Sequence, residues 1–457
     1  MQGRTTSSIA ATVRGRAIGA RSWVDHVVID SRQAGPSALF VALPGTRTDG
    51  HDHVDEAYQR GAAATLVSRH DGSGRSAIVV DDPGVALLRL AADERRRLSA
   101  TVVGITGSVG KTTTKDLLAS ILGRRRHVTA SPASYNNQIG LPLTVLAADR
   151  RSEVLVCEIG AGVVGEIASL CQVARPHVGV VTVVGKAHLA SFGSVEAVAE
   201  GKVELVEGLP RAGTAVLNAD DPVVRSYADR TDAQVLLFGR RPGADVRADR
   251  VRVREDGCLG FRLIHQANAA NVELRLHGPH FLTDALAASA CARTLGIPLE
   301  VCADALSHAE PSPRRMQERV TARGLRIWDD SYNANPTSVA AALAALAALP
   351  DRGRRIAVLG HMAELGRWSL REHERVGELA AAARLHRLVV VGPEARPIAI
   401  GAHRAGLRAK QVIGCASVDE ALEAIRSSAE AGDIVLVKGS RVTGLDRLVD
   451  GLDIRVR

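Results

Sequence analysis

The stretch Gly104-Ile105-Thr106-Gly107-Ser108-Val109-Gly110-Lys111-Thr112-Thr113-Thr114 decides the fold of this chain. It follows the apolar run Thr101–Val103 and leads into a helical pattern. A strand that feeds a glycine turn and a helix N-terminus cradles phosphate with backbone N–H groups, and Lys111 adds a positive charge. A standard phosphate-binding loop has glycine where Ile105 stands. The remaining Gly-x-x-Gly-Lys-Thr still predicts a nucleoside triphosphate site, with the Thr112 hydroxyl on its Mg²⁺; a tight strand–helix connection is the alternative.

The composition limits the class of protein. The chain has 457 residues, of which 46% are hydrophobic, and this length predicts two or three domains. No apolar run is long enough for a membrane span, and Met1–Arg16 lacks the apolar core of a signal peptide. The six cysteines are far apart without a Cys-x-x-Cys pair, which predicts reduced, buried thiols. A cytoplasmic protein is therefore expected.

The formal net charge of +8 raises the question of a nucleic-acid partner. The basic runs Arg95–Arg97 and Arg124–Arg126 are short and carry no interleaved aromatic residues, and no nucleic-acid-binding motif is present. A positively charged cleft for anionic small molecules agrees with the same charge. We therefore expect small-molecule substrates, no nucleic acid, no membrane association and a monomeric chain.

Three segments follow one another along the chain. Residues 1–98 contain short apolar runs and end near a polar stretch, 95–100, that is predicted to be a linker. Residues 99–312 alternate strands and helices, which predicts a parallel sheet with crossover helices, and short alternating strands near 245–280 predict an antiparallel insertion. Residues 313–457 alternate again. The predicted fold is α/β with three domains. The N-terminal domain is followed by a central P-loop domain, whose parallel sheet carries an antiparallel insertion, and then by a C-terminal Rossmann-like α/β domain.

Charged side chains follow the predicted strands of the second segment. Glu158 closes the strand that begins at Glu153, at the edge where ligand sites form in α/β sheets, and beside a phosphate loop it is a natural Mg²⁺ ligand. His188 lies just beyond the predicted strand Val178–Val184. A lone histidine is more often a surface or core residue, and Lys202 by itself reads as an ordinary lysine on a helix surface.

Amide-rich loops supply further candidates. Asn136 and Asn137 lie in the polar stretch Tyr135–Pro142, which is either a loop that faces a ligand or an asparagine turn. Asn218 follows another predicted strand and serves equally well as a turn residue. Asp330 ends a strand before a helix, where it either grips a ribose hydroxyl or caps that helix.

Taken together, and in this order, these motifs resemble those of the Mur ligase family, the ATP-dependent amide ligases of peptidoglycan precursor assembly. The resemblance covers essentially the whole chain. Three of the motifs are rather specific to the member that adds a dipeptide: the ones that begin at Asn136, at Tyr332 and at Leu359. It implies that D-alanyl-D-alanine is joined to UDP-N-acetylmuramoyl-tripeptide through an acyl phosphate. The motifs are Asp30-Ser31-Arg32, Asp49-Gly50-His51, Asn136-Asn137-Gln138-Ile139-Gly140-Leu141-Pro142, Tyr332-Asn333-Ala334-Asn335-Pro336, Leu359-Gly360 with Glu364-Leu365-Gly366, and Val437-Lys438-Gly439-Ser440-Arg441.

The resemblance also implies roles for single residues and for cofactors. ATP and two Mg²⁺ ions are expected, and Lys202 matches a lysine that is carbamylated in such enzymes. The catalytic residues implied are Lys111, Lys202 and His188, and the metal ligands are Thr112, Glu158, His188 and Lys202. The nucleotide would be bound by Gly107, Gly110, Lys111, Thr112, Thr113, Asn218 at adenine, Asp330 at ribose and Arg315 at the phosphates. The other substrates would be bound by Ser31, Arg32, Asn136, Asn137, Tyr332, Asn333 and Asn335.

The implied domain roles follow the three segments. Residues 1–98 would bind the UDP-sugar, 99–312 would bind ATP, and 313–457 would close over ATP and bind the incoming amine.

Five positions depart from the family pattern and border the metal and acceptor regions: Gly162, Val183, Lys186, Arg314 and His361. They predict a shifted substrate preference. One alternative is therefore a related amide ligase of natural-product biosynthesis with another carboxylate and amine. The other alternative is a P-loop regulatory ATPase, which would hydrolyse ATP without either substrate.

Overall fold

The computed structural model describes residues 1, 3–45, 48–70, 72–349 and 353–452. Within these residues the chain forms three successive α/β units, each built on its own sheet. In the same ranges, none of the helices combines the length and the apolar character that crossing a membrane requires. All six cysteines are buried and free of disulfides, as predicted.

The first unit is built on a small sheet that is parallel except at one edge. Its strands are β1 Arg4–Thr5, β2 Arg16–Ile18, β3 Trp23–Val24, β4 His26–Val28, β5 Ala38–Val41, β6 Ala64–Val67 and β7 Ala77–Val79. Its helices are α1 Thr6–Val13, α2 Val54–Gln59 and α3 Pro83–Arg97. The strand order is β2-β7-β6-β5-β4, β2 is antiparallel to β7, and β1 pairs with β3 separately.

The predicted linker over 95–100 is wrong in its first half. Helix α3 continues through Arg97. The reason is that Arg95 is buried: its Nε donates a hydrogen bond to the carbonyl oxygen of Ala174 at 2.8 Å, and Nη1 donates to that of Leu98 at 3.0 Å. This arginine fastens the end of α3 to the next unit, so only Leu98–Ala100 connects them.

The second unit contains the central sheet. Its strands are β8 Thr101–Thr106, β9 Val128–Ala130, β10 Val154–Glu158, β11 Val178–Val181, β12 Thr214–Asn218, β13 Gln234–Gly239, β14 Val246–Val253, β15 Cys258–His265 and β16 Asn268–His277. Its helices are α4 Lys111–Gly123, α5 Gly140–Ala147, α6 Glu166–Ala174, α7 Leu189–Phe192, α8 Val195–Glu207, α9 Pro222–Ser226, α10 Phe281–Thr294 and α11 Leu299–Ser307. The strand order is β16-β15-β14-β13-β12-β11-β8-β10-β9.

Pairing in the central sheet changes direction once. The strands from β9 to β14 are parallel, whereas β14, β15 and β16 pair antiparallel. The predicted antiparallel insertion is therefore confirmed, and it extends the same sheet. The strand predicted to reach Val184 ends at Val181, because the carbonyl of Val183 instead accepts a hydrogen bond from the N–H of Ser108 at 2.7 Å.

The third unit contains the C-terminal sheet, and the predicted Rossmann-like pattern is confirmed. Its strands are β17 Gln317–Val320, β18 Arg326–Asp330, β19 Arg355–Gly360, β20 Arg387–Val391, β21 Val412–Cys415 and β22 Ile434–Lys438. Its helices are α12 Pro336–Ala347, α13 Ser369–Ala382, α14 Arg396–Arg404, α15 Val418–Ser428 and α16 Asp446–Gly451. The order is β17-β18-β22-β19-β20-β21, with β17 antiparallel at the edge.

The hairpin β15–β16 joins the central sheet to the C-terminal sheet. His277, at the end of β16, stacks on the indole of Trp328 with ring centroids 5.3 Å apart. Its Nε2 lies 3.4 Å from the carboxylate of Glu318, and its Nδ1 lies 3.6 Å from the sulfur of Cys258. Burial alone would lower the pKa of His277, but the contacts with Cys258 and Glu318 raise it to about 9. A buried imidazolium thus connects the two units on this side.

Candidate active site

A cavity of about 770 Å³ lies between the central and C-terminal sheets, where the carboxyl ends of their parallel strands face each other. Most of the predicted site residues line it. Those brought together are Gly110, Lys111, Thr112, Thr113, Asn136, Asn137, Glu158, His188, Lys202, Arg315, Asp330, Tyr332, Asn333 and Asn335. Gly107, Asn218, Ser31 and Arg32 are not among its lining residues.

The phosphate loop is held in a conformation that requires its glycines. Gly107 and Gly110 have φ of 148° and 87°, and a Cβ at either position would lie within 2.2 Å of a neighbouring oxygen. Helix α4 begins immediately afterwards at Lys111, so its N-terminal N–H groups face the cavity. The ammonium of Lys111 donates to the carbonyl of Gly107 at 2.6 Å. Burial lowers the pKa of Lys111, and Glu158 offsets part of that effect.

Thr112 and Glu158 form the oxygen pair of the site. The Thr112 hydroxyl donates to Glu158 Oε2 at 2.8 Å, and the amide of Asn136 donates to Oε1 at 2.7 Å. Two oxygens on adjacent corners of an Mg²⁺ octahedron, each about 2.1 Å from the ion, lie about 3 Å apart. The pair therefore fits Mg²⁺. The described residues hold no group of three or more His, Cys, Asp and Glu side chains that could bind a metal, and Mg²⁺ needs none because it keeps waters and substrate phosphates.

Arg315 brings the C-terminal unit to this pair. Its Nη2 donates to the Thr112 hydroxyl at 2.9 Å and to the hydroxyl of Ser134 at 3.2 Å. Its guanidinium lies over the ring of Tyr332, 4.5 Å from the centroid. A cation from the third unit is thus fixed at the phosphate loop of the second.

Lys202 is buried, which overturns the reading of an ordinary lysine on a helix surface. It is 2% exposed on the inner face of α8, and none of the described residues accepts a hydrogen bond from its Nζ. Its Nζ lies 5.5 Å from the centroid of the Phe192 ring. Burial is the main cause that lowers the pKa of Lys202 to about 7, and the charge of Lys111 lowers it further.

His188 lies at the boundary between the two sheets. Its Nδ1 is 2.5 Å from the carboxylate of Glu364, and this hydrogen bond lowers the pKa of Glu364. Two residues earlier, the ammonium of Lys186 lies 2.5 Å from Glu372, whose side chain is 3% exposed. The loop after β11 is thereby joined to the C-terminal unit by one ion pair and by one histidine–carboxylate hydrogen bond.

Several predicted side chains hold the local structure of the chain. Asn218 donates to the carbonyl of Thr182 at 2.8 Å, and its own oxygen accepts from the N–H of Asp220, so it fixes the loop after β12. Asn335 caps α12 by accepting from the N–H of Ser338 at 2.8 Å. The helix-cap reading of Asp330 is therefore wrong.

Asp330 is instead paired with a lysine. The ammonium of Lys438 lies 2.5 Å from Asp330 and donates to the carbonyl of Asn333 at 3.0 Å. This contact joins the ends of β18 and β22 at the cavity.

The first unit carries the remaining predicted residues. Ser31 donates to Glu56 at 2.7 Å, and Arg32 pairs with Asp30 while its side chain stays 76% exposed. A second cavity of about 250 Å³ in this unit is lined by His51, by residues of α2 and β6, and by Arg69 and His70. The roles of Ser31 and Arg32 stay predictions.

Three of the five departures from the family pattern lie outside the wall of the main cavity. Lys186 pairs with Glu372, Arg314 pairs with Asp446 and Asp450, and the ring of His361 stacks on His373 at 5.0 Å. The other two, Gly162 and Val183, line the cavity. Most of these departures thus make side-chain contacts within the protein and do not line the cavity.

Sequence reasoning missed Asp284. It lies 5% exposed in the first turn of α10, lines the cavity, and sits 3.5 Å from the hydroxyl of Thr114. Burial raises its pKa well above the usual range, and Arg315 and Thr114 offset only part of this. The signal available in the sequence was that Asp284 is the one acidic residue in the first turn of an alanine-rich helix. A carboxylate in such a mostly apolar helix could have been recognised as a candidate for the site.

Comparison with known proteins agrees with this geometry. The family model "Mur ligase middle domain" matches residues 105–292, "Mur ligase, glutamate ligase domain" matches 314–441, and "Mur ligase family, catalytic domain" matches 24–93. The chain is 41% identical to the UDP-N-acetylmuramoyl-tripeptide–D-alanyl-D-alanine ligase of Mycobacterium bovis, over 93% of this chain and 91% of that protein.

Two solved structures are similar over nearly the whole chain. A crystal structure of MurF from Acinetobacter baumannii has a TM-score of 0.89 at 29% identity and covers 98% of both chains. The MurF ligase of Thermotoga maritima in complex with ADP has a TM-score of 0.82 at 32% identity, covering 93% of this chain and 96% of that one.

Proposed function

The chain belongs to the Mur ligase family, and we propose that it joins D-alanyl-D-alanine to UDP-N-acetylmuramoyl-tripeptide with ATP. The reaction belongs to peptidoglycan precursor assembly. The observation that carries it is the hydrogen bond from Arg315 to the Thr112 hydroxyl, since it makes one nucleotide site from two units. Relatives of this name match the chain over nearly their full length.

The reaction proceeds in two steps. A carboxylate of the tripeptide attacks the γ-phosphorus of ATP, which gives an acyl phosphate and ADP. The amine of the dipeptide then attacks the acyl carbon, forms the amide, releases phosphate and loses a proton. The N–H groups at the start of α4, the ammonium of Lys111 and the guanidinium of Arg315 stabilise the charge that spreads over the transferred phosphoryl group.

Thr112 and Glu158 would hold Mg²⁺, which neutralises charge on the β- and γ-phosphates. A second Mg²⁺ would take His188 and Lys202 as ligands. The buried oxygen pair of Thr112 and Glu158 supports the first site, and the burial of Lys202 beside the same cavity supports the second.

Lys202 is proposed to carry a carbamate. A primary amine adds to CO₂ only when it is neutral, with loss of one proton, and a lysine whose pKa is about 7 is largely neutral at physiological pH. The product is an anion with two oxygens, which suits both Mg²⁺ and the nearby ammonium of Lys111. The lack of any described hydrogen-bond acceptor for Nζ supports this state.

We further assign residues 1–98 to the UDP-sugar, with Ser31 and Arg32 as contacts, residues 99–312 to ATP, and 313–457 to the amine. Asn218 and Asp330 would face adenine and ribose. Asn136, Asn137, Tyr332, Asn333 and Asn335 would contact the peptide substrates. The enzyme is expected to act as a monomer in the cytoplasm, where buried thiols stay reduced.

The test is release of ADP and phosphate by the purified chain with ATP and Mg²⁺. Turnover that needs both UDP-N-acetylmuramoyl-tripeptide and D-alanyl-D-alanine, with a product of the summed mass less water, supports the proposal. Turnover without either substrate would indicate a regulatory ATPase. Turnover only with another carboxylate and amine from a substrate panel would indicate a ligase outside cell-wall synthesis.

A further inference from the structure

We propose that Arg441 binds the terminal carboxylate of the incoming dipeptide and so selects an amine substrate that carries one. This inference rests on the proposed function. Arg441 lines the main cavity and begins a short 3₁₀ turn, Arg441–Thr443, directly after the last strand of the C-terminal sheet.

The backbone beneath Arg441 is fixed by its neighbour. The hydroxyl of Ser440 donates to the carbonyl of Ala334 at 3.1 Å and accepts from the N–H of Ala363 at 2.8 Å. Both contacts come from loops that also border the cavity. The base of the Arg441 side chain is therefore rigid, while its exposed guanidinium can turn toward a ligand.

Arg441 is an arginine of the cavity whose charge no acidic side chain among the described residues neutralises. Lys438 is paired with Asp330, and Arg315 is bound to hydroxyls at the phosphate loop. Lys111 is bound to a carbonyl within that loop. None of the acidic groups in the described residues forms an ion pair with Arg441. A guanidinium in that position matches a carboxylate, which it can bind with two parallel hydrogen bonds.

The distance from the phosphate end fits a dipeptide. Arg315 and Arg441 both lie against Tyr332, with guanidinium carbons 4.5 Å and 5.8 Å from its ring centroid. The two guanidinium carbons cannot be further apart than the sum of those distances. In an extended dipeptide the amine and the terminal carboxylate are about 7 Å apart, at about 3.5 Å for each residue. A length of about 7 Å lies within that limit, so a dipeptide whose amine is at the acyl phosphate near Arg315 is long enough to place its carboxylate at Arg441.

The experiment compares D-alanyl-D-alanine with D-alanyl-D-alaninamide, which lacks the terminal charge, in steady-state ligation. In the unsubstituted enzyme the amide should have a KM about 10- to 100-fold higher, as expected for loss of a charge-assisted contact. Arg441→Ala should raise the KM for the dipeptide by a similar factor and leave the KM for the amide and for ATP unchanged. Arg441→Lys should recover part of the affinity.

Arg447→Ala is the matched control, since Arg447 is exposed six residues further on and does not line the cavity. Its KM values should equal those of the unsubstituted enzyme. Equal KM values for dipeptide and amide in the unsubstituted enzyme would overturn the assignment, as would an equal rise for both in Arg441→Ala. If the unsubstituted enzyme ligates neither amine, the proposed function itself has failed.

Discussion

The ion pair between Lys186 and Glu372 should favour the arrangement of the central and C-terminal units that the structure shows. We call this arrangement closed, and one in which the two units have moved apart at the cavity open. The two charged atoms are 2.5 Å apart, the side chain of Glu372 is 3% exposed and that of Lys186 is 35% exposed. The other oxygen of Glu372, Oε2, is buried and has no hydrogen-bond partner among the described residues. Lys186→Met would therefore leave an uncompensated buried carboxylate at the boundary of the two units.

The free energy that this ion pair contributes follows from the unequal exposure of Lys186 and Glu372. Breaking a fully buried pair costs about 3–5 kcal/mol, and an exposed pair contributes about 0.2–1 kcal/mol, so this half-exposed pair should contribute about 2 kcal/mol. That free energy corresponds to about a 30-fold change in the ratio of closed to open molecules. We expect kcat/KM of Lys186→Met to fall by up to that factor, because the site needs Arg315 at the phosphate loop.

A double-mutant cycle in the ligation assay measures the coupling. Glu372→Gln removes the buried charge, so Lys186→Met should cost far less in that background than alone, and added salt should weaken the effect in the parent enzyme. Arg371→Met, which removes an exposed cation next to Glu372, is the control and should leave kcat/KM unchanged. If the effects of Lys186→Met and Glu372→Gln simply multiply, the pair does not hold the two units together.

Three further outcomes are expected. Lys111→Ala should lower ATP turnover by about 100-fold or more without loss of folding, because it removes the ammonium that stabilises the negative charge of the transferred phosphoryl group. Lys410→Ala should be neutral, and near-normal ligation rates of Lys111→Ala would contradict the phosphate-loop assignment. Lys202→Ala should be nearly inactive and partly recovered by short carboxylic acids, and the parent enzyme should lose activity in CO₂-free buffer and below pH 7, where the amine of pKa about 7 becomes protonated; full activity without CO₂ would reject the carbamate. The pKa of His277 is raised to about 9, so its stabilisation is complete below about pH 6.5 and is lost as pH rises through 9, by at most about 3 kcal/mol; a His277→Gln variant whose unfolding shows the same pH dependence between 6 and 10 would refute this.

The sequence predicts those parts of the structure that depend on neighbouring residues. The phosphate loop, Glu158 at the end of its strand and the change to antiparallel pairing after 245 all follow from local patterns, and the structure contains them. Each is encoded within a few residues by glycine positions, apolar runs or alternation. These are the features for which a short window of sequence is sufficient.

Contacts between distant residues could not be read in this way. The linker prediction failed because Arg95 is bound by the carbonyl of Ala174, far along the chain. Lys202 was predicted to lie on the surface, because the sequence of its helix does not indicate which other parts of the chain pack against it. Lys186 and Glu372 are 186 residues apart, so no pattern joins them before the two units meet. Burial and pairing of charges depend on the tertiary fold, which sequence periodicity does not specify.

The C-terminal unit is attached to the central one at two edges of different chemistry. On the hairpin side the contact is the stacked pair of His277 and Trp328, both of which are buried. On the cavity side it is made by the ion pair of Lys186 with Glu372 and by the hydrogen bond of His188 with Glu364, whose basic partners are partly exposed to water. Ionic strength should therefore act more strongly on the cavity edge, because the His277–Glu318 contact on the hairpin side is largely buried. We expect a rotation that opens the cavity to use the hairpin edge as its axis, and added salt to favour that opening with less effect on the axis itself.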